Sequence, residues 1–169
     1  VDSTAKKLKS QLRKRYRAER EFLVVSSDWS HLISAKEIQN SQVIASYVSY
    51  GLEPDTSELN SELTRLGKVV VTPHMLEDKD LEWHNSDGSI FNGEIDVVIM
   101  PALHIDRNGN RLGQGGGSYD RALQRTKAWR VALVYPGELS SEEIPAEPHD
   151  QKVHAAATSE ILVRFTAQN

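Results

Sequence analysis

Four short runs of apolar, largely β-branched residues set the limits on how this chain can fold. They are Val43-Ile-Ala-Ser-Tyr-Val48, Lys68 to Thr72, Ile95-Asp-Val-Val-Ile-Met100 and Trp129 to Tyr135. Runs this short and this uniformly apolar suit strands covered on both faces, as in the interior of a parallel sheet. Between the first two lies a helical pattern. Asp55 and Glu58 resemble a capping box, Leu59, Leu63 and Leu66 share one face, and Gly67 stops the helix. A strand, a helix and a strand in that order imply a right-handed crossover to a parallel neighbour. The fold class that follows is α/β. It is an open, mostly parallel sheet with helices on both faces, a Rossmann-like three-layer arrangement.

The remaining segments fit around this frame. Residues 4–22 read as a helix with a narrow stripe of Leu8, Leu12 and Tyr16. Residues 22–30 are irregular, and Ser30 caps a second helix through about Ser41, with Leu32, Ile33, Ile38 and Val43 facing inward. Pro73 ends the second strand, Leu81 to His84 forms a short strand, and Asn85-Ser-Asp-Gly88 is a turn. Residues 102–118 are expected to be loop, Tyr119 to about Lys127 helix, and Pro136-Gly137 a turn. Residues 138–152 read as an acidic loop with one turn of helix, and Ile161 to Phe165 as the last strand. No internal repeat or linker interrupts the pattern, so residues 1–169 form a single domain.

Composition excludes several function classes. There is no cysteine, which removes disulfides, thiolate metal sites and a Cys nucleophile. No apolar stretch reaches the ~20 residues that span a bilayer, and the charged N-terminal segment has no signal-peptide core. The cytoplasm is the expected location. The chain opens on Val1 rather than Met, which leaves its true start open. The net charge of −4 is unevenly spread: residues 1–20 carry eight Lys/Arg against Asp2 and Glu19, a balance of +6, so the rest carries −10. A basic arm admits a nucleic-acid-binding reading, but the acidic body would repel a polyanion. A cluster serving a small phosphorylated ligand fits better.

That ligand has a natural seat in Arg111-Leu-Gly-Gln-Gly-Gly-Gly-Ser-Tyr-Asp-Arg121, which holds four of the ten glycines in five positions. Residues without Cβ let backbone N–H groups approach closely, which makes an anion cradle. It is no P-loop, since no lysine separates Gly117 from Ser118, and no dinucleotide fingerprint, since Ser118 stands where that motif needs glycine. Asp106 to Asn110 begins like a calcium loop, but Arg111 and Gly117 occupy positions where glycine and glutamate are required. No hydrolase elbow and no His metal motif on a helix is present, and most of the six histidines are expected at the surface or in loops. Arg111 and Arg121 are either surface charges or phosphate contacts. Lys9 and Arg13, four apart on one helix face, repel unless an anion lies between them; the alternative is a solvated basic face. Asp120 and Asp150 either cap and solvate or hold Mg²⁺. Glu53 is a solvated turn residue or an acceptor for a heterocycle's N–H groups, and Trp83 is core or ligand platform.

Asn110 to Arg121 resembles the signature of the 5-formyltetrahydrofolate cyclo-ligase (5,10-methenyltetrahydrofolate synthetase) family, and the resemblance extends over most of the chain. Lys9-x-x-Leu12-Arg13, Glu53-Pro-Asp-Thr56, Asp96 to Pro101, Asp106, Gly109, Ile144-Pro, His149-Asp150 and Thr158-Ser-Glu160 follow the same family pattern. The resemblance implies a ligase of folate and one-carbon metabolism. Its reaction is ATP- and Mg²⁺-dependent closure of 5-formyltetrahydrofolate to 5,10-methenyltetrahydrofolate, with ADP and phosphate released. The formyl oxygen is phosphorylated, N10 attacks the resulting imidate-like carbon, and phosphate leaves. By position, Lys9, Arg13 and the loop Arg111, Leu112, Gly113, Gln114, Gly115, Gly116, Gly117, Ser118 and Tyr119 would hold the nucleotide. Arg13 and Arg111 would be the catalytic cations. Val48, Glu53 and Gln114 to Ser118 would meet the folate, and Asp120 and Asp150 the metal. The expected partners are a reduced folate and ATP, with no nucleic acid and no membrane, in a monomer or homodimer. The family commonly carries aromatics where Ser118 and Gln114 stand, and an acid where His154 stands. These departures motivate an alternative, a nucleotide-binding homologue with altered or lost folate turnover.

Overall fold

The computed structural model describes residues 3–23 and 26–166. Val1, Asp2 and residues 24–25, part of the segment expected to be irregular, lie outside these, as do residues 167–169. The elements run α1 (Ser3–Arg20), α2 (Ser30–Ile33), α3 (Lys36–Gln39), β1 (Val43–Ala45), α4 (Ser57–Arg65), β2 (Val69–Met75), β3 (Leu81–His84), β4 (Val97–Pro101), β5 (His104–Asp106) and β6 (Arg111–Leu112). They continue with α5 (Ser118–Leu123), β7 (Trp129–Leu133), β8 (Leu139–Ser140), β9 (Ala155–Ala157) and β10 (Leu162–Arg164).

The expected α/β architecture is present. One sheet has the order β10-β9-β7-β4-β1-β2-β3. Its inner pairings, β9 with β7, β7 with β4, β4 with β1 and β1 with β2, are all parallel, while β10 and β3 join antiparallel at the edges. Because side chains alternate along a strand, each strand feeds two cores. Ile44, Val97, Ile99, Val131 and Leu133 pack with Leu32, Ile38, Leu59 and Leu63 on one face. Ala45, Val71, Val98, Met100, Ala132 and Val134 pack with Ile105 and Leu123 on the other. The β1–α4–β2 crossover therefore lies on one face and the α5 connection between β4 and β7 on the opposite face. Chain order reverses between β1 and β4, and the crevice outside the C-terminal ends of those two strands is where such sheets bind ligands.

Several expectations are corrected. The helix expected over 30–41 is two single turns, because Ala35 is extended (φ −63°, ψ 141°), and Ser30 does not cap the first: the N-cap is Trp29, without a side-chain cap bond, while Asp28 accepts the Ser30 N–H at 3.0 Å. Pro73 does not end β2, which continues to Met75 against β3. Pro73 lies past the part of β2 that pairs with β1, so its missing N–H costs that ladder nothing. Leu8 and Leu66 are exposed. The inward face of α1 is instead Ala5, Lys9, Tyr16 and Arg20, with Leu12 partly buried. The loop 102–118 contains β5 and β6, residues 138–152 contribute β8 rather than a turn of helix, and the three strands form a small sheet in the order β6-β5-β8. Strand β9 was missed, since three consecutive alanines carry little β signal. Helix α5 ends at Leu123, short of Lys127.

Helix α1 packs on the small sheet, with Leu12 and Tyr16 against Leu103, Leu112 and Ile144. The Tyr16 ring stacks on the buried His104 at 4.3 Å, a histidine expected at the surface or in a loop. The helix end is tied by a buried ion pair. Arg20 donates to Glu138 at 2.8 and 2.9 Å and also to the Ala102 carbonyl. Removing one partner of such a pair leaves an unpaired buried charge. Arg20→Met is therefore expected to lower the unfolding free energy by about 3–5 kcal/mol in denaturant titration, and Arg20→Met/Glu138→Leu to recover part of that loss.

Candidate active site

The crevice is framed by the turn after β1 and by the glycine loop after β4. Arg111 anchors that loop to the end of β4 by donating to the Pro101 carbonyl at 3.0 Å. Gly115 and Gly117 have φ of 111° and 71°, conformations that L side chains rarely adopt. A Cβ on Gly113 would lie 2.8 Å from the far end of the flexible Arg111 side chain, Nη1, and one on Gly117 3.2 Å from Arg121 Nη1; at Gly117 the positive φ, more than the contact, requires glycine.

Cations surround this loop. Arg13 Nε donates to the Gly113 carbonyl at 2.8 Å, and Arg121 Nη1 to the Gly116 carbonyl at 2.7 Å. Arg17 reaches Gln114 through its side-chain Oε1 at 2.7 and 3.1 Å and its carbonyl at 3.1 Å. Burial, followed by the neighbouring Arg17, holds the Arg13 pKa below its ordinary value, and burial does the same at Arg111. Both guanidiniums stand where an arriving anion relieves an unfavourable environment. Two buried groups here, Arg111 Nε and Ser118 Oγ, have no hydrogen-bond partner among the described residues. Orphaned buried polar atoms beside a glycine cradle fit a bound ligand.

Lys9 is nearly buried and pairs with Glu147 at 3.0 Å and with Asp150. Neither the solvated face nor a direct anion contact describes this arrangement. Asp150 also accepts the Glu147 N–H at 2.8 Å, and Asp120 accepts the Gln151 N–H at 3.0 Å. Ligand atoms of Asp120, His149 and Asp150 lie within 4.8 Å of one another. The carboxylates and the spacing fit a hard divalent cation. The sequence pointed to the two aspartates; His149 is an addition. Arg17 was also missed, although it continues the four-residue spacing of Lys9 and Arg13.

Across the crevice, Glu53 Oε1 accepts the Tyr50 N–H at 2.9 Å, and burial raises the Glu53 pKa. Val48 beside it is 73% exposed. Tyr119 follows the glycine loop at the start of α5 and packs against the second core. Its ring lies 5.3 Å from the Arg111 guanidinium carbon and 6.5 Å from the Trp83 ring. Trp83 is half-buried and packs against the second core. His154 points elsewhere, its Nδ1 accepting the Arg130 N–H at 2.9 Å at the start of β7.

Fold and geometry together describe an α/β protein with a glycine loop ringed by arginines after its central strands and a half-buried carboxylate on the turn after β1. The model for the 5-formyltetrahydrofolate cyclo-ligase family matches residues 4–90 and 85–159, and the chain belongs to that family. The 5-formyltetrahydrofolate cyclo-ligase of Mycolicibacterium smegmatis is 35% identical over 135 residues, covering 64% of this chain and 69% of that protein. The Mus musculus protein of the same name is 26% identical, with 90% and 92% covered. The solution structure of Aquifex aeolicus 5,10-methenyltetrahydrofolate synthetase matches with a TM-score of 0.77 at 25% identity, covering 96% of this chain and 95% of that one. The Mycoplasma pneumoniae synthetase shares the fold, with a TM-score of 0.74 at 20% identity and coverages of 88% and 96%. The chain is thus an enzyme, a ligase of folate metabolism. No helix among the described residues is long and apolar enough to cross a membrane.

The two neighbouring glycines separate conformational need from mere proximity. Gly117→Ala puts Cβ at positive φ, costing about 1–2 kcal/mol, and should lower the melting temperature by about 2–8 °C. Gly116→Ala, whose Cβ would meet only Ser118 Oγ at 3.6 Å, should leave it nearly unchanged in the same thermal melt.

Proposed function

We propose that this enzyme closes 5-formyltetrahydrofolate to 5,10-methenyltetrahydrofolate at the expense of ATP, with Mg²⁺. The observation that carries the reading is the glycine loop with orphaned donors at Arg111 and Ser118, in a chain of this family. The chemistry asks for positioning and charge neutralisation more than for covalent work by the protein.

In this reading the backbone N–H groups of residues 112–119 wrap the phosphates, and Arg13 and Arg111 stand against them. Lys9 exchanges Asp150 for phosphate. Asp120 and Asp150, with His149 adjacent, hold the metal, which when bound neutralises charge on the phosphate oxygens. Glu53 accepts N–H bonds from the pterin with Val48 alongside, and Gln114 to Ser118 border both ligands. The formyl oxygen attacks the γ-phosphorus as the bond to ADP breaks. N10 then adds to the activated carbon and loses its proton, and the C–O bond to phosphate breaks.

Four expected outcomes test this. Mixing enzyme, 5-formyltetrahydrofolate, ATP and Mg²⁺ should produce the methenyl chromophore; no ATP-dependent absorbance at high enzyme concentration sinks the proposal. Arg13→Ala should raise KM for ATP roughly tenfold, about 1.4 kcal/mol, with a smaller change for the folate, and Asp120→Asn should raise the Mg²⁺ concentration needed for half-maximal rate. Glu53 binds as a carboxylate but has a raised pKa. Its useful form is therefore complete at high pH and is lost as pH falls through a value above the ordinary ~4.3 for glutamate. The folate KM should climb in the wild type as pH is lowered toward the carboxylate range, beginning above the ordinary glutamate value, and stay flat, at a higher level, in Glu53→Gln.

A further inference from the structure

Tyr135 follows β7 and joins three parts of the site. Its N–H donates to Glu138 Oε1 at 2.9 Å, its ring lies 5.2 Å from the Arg20 guanidinium carbon, and its hydroxyl donates to the Leu52 carbonyl at 2.7 Å. The first two contacts fix the residue. Glu138 and Arg20 are buried and doubly bonded to each other at 2.8 and 2.9 Å, so the ring and backbone of Tyr135 rest on a rigid bracket. Burial raises the hydroxyl's pKa and keeps it a donor.

The third contact reaches an exposed turn whose C-terminal end is held where the buried Tyr47 hydroxyl donates to the Pro54 carbonyl at 2.7 Å. Tyr50 is 85% exposed and Leu52 48% exposed, and Gly51 sits at φ 60°. The turn's internal bonds are Glu53 N–H to the Tyr50 carbonyl at 3.2 Å and Tyr50 N–H to Glu53 Oε1 at 2.9 Å. Exposed turns of this kind open locally at low free-energy cost. The Leu52 carbonyl belongs to the same planar peptide unit as the Glu53 N–H. A bond to that oxygen from the buried scaffold therefore orients the backbone from which the Glu53 carboxylate projects.

We propose that Tyr135 is a positioning residue for Glu53, holding the Leu52–Glu53 peptide so that the carboxylate meets the substrate's heterocycle. The role of Glu53 rests on the functional reading above; the clamp itself does not. Because the bracket ends in Arg20, helix α1, which carries Lys9 and Arg13 on the nucleotide side, also sets the plane of the folate-side acceptor.

Tyr135→Phe tests this, since it deletes the hydroxyl and keeps the ring, the Arg20 contact and the backbone bond. Amide hydrogen exchange at Gly51 to Glu53 should accelerate, and KM for 5-formyltetrahydrofolate should rise roughly 3–10-fold, as for loss of one hydrogen bond. The ATP KM and kcat should stay within about twofold. In a Glu53→Gln background the same substitution should add little to the folate KM. Unchanged exchange in the turn, or an equal rise of both KM values, overturns the proposal. A wild type without turnover removes the substrate reading instead, and the exchange measurement then decides by itself whether Tyr135 fixes the turn.

Discussion

A loop made largely of glycine has few side chains with which to hold itself in shape, and the site depends on how this one is held from outside. Arginines do it through backbone oxygens. Arg13 takes the Gly113 carbonyl at 2.8 Å, Arg17 the Gln114 carbonyl at 3.1 Å and Arg121 the Gly116 carbonyl at 2.7 Å. Each contact engages an oxygen that would repel an anion and places a guanidinium beside the loop. The same residues thus shape the cradle and set its electrostatic sign. Arg111 adds the tie to the end of β4 and shares its environment with Tyr119.

The unusual amphipathicity of α1 follows from this. A helix on a globular surface normally buries an apolar stripe. Here Lys9 and Arg20 point inward beside Ala5 and Tyr16, while Leu8 is left outside. Burial of these cations is tolerated because each meets carboxylates, Lys9 with Glu147 and Asp150, Arg20 with Glu138. The acidic stretch around 138–150 therefore complements part of the basic helix, meeting Lys9, Arg15 and Arg20.

The candidate-site residues legible in the sequence were those whose chemistry is local. The glycine spacing announces a backbone cradle because only glycine permits it, and Asp120 and Asp150 stand out as carboxylates in or beside loops, Glu53 as one in a turn. What escaped was set by partners far along the chain. Arg17 meets Gln114 across 97 positions and Tyr135 meets Leu52 across 83. Nothing in the neighbourhood of either residue signals such a contact. His149 joined the aspartates only because the 147–151 segment folds back onto α5.

For the fold, the sequence by itself determined the class. Short buried runs alternating with helical patterns leave a parallel sheet with covered faces as the way to satisfy both backbone and side chains. Strand order, the extension of β2 through Pro73, the alanine strand β9 and the small sheet were decided by tertiary structure. Each is stabilised by hydrogen bonds to a neighbouring strand of its sheet rather than by the propensity of its own residues. The same division holds for Lys9. Its charge and helical spacing are written in the sequence, but whether it faces water, an anion or Asp150 depends on where the last third of the chain comes to lie.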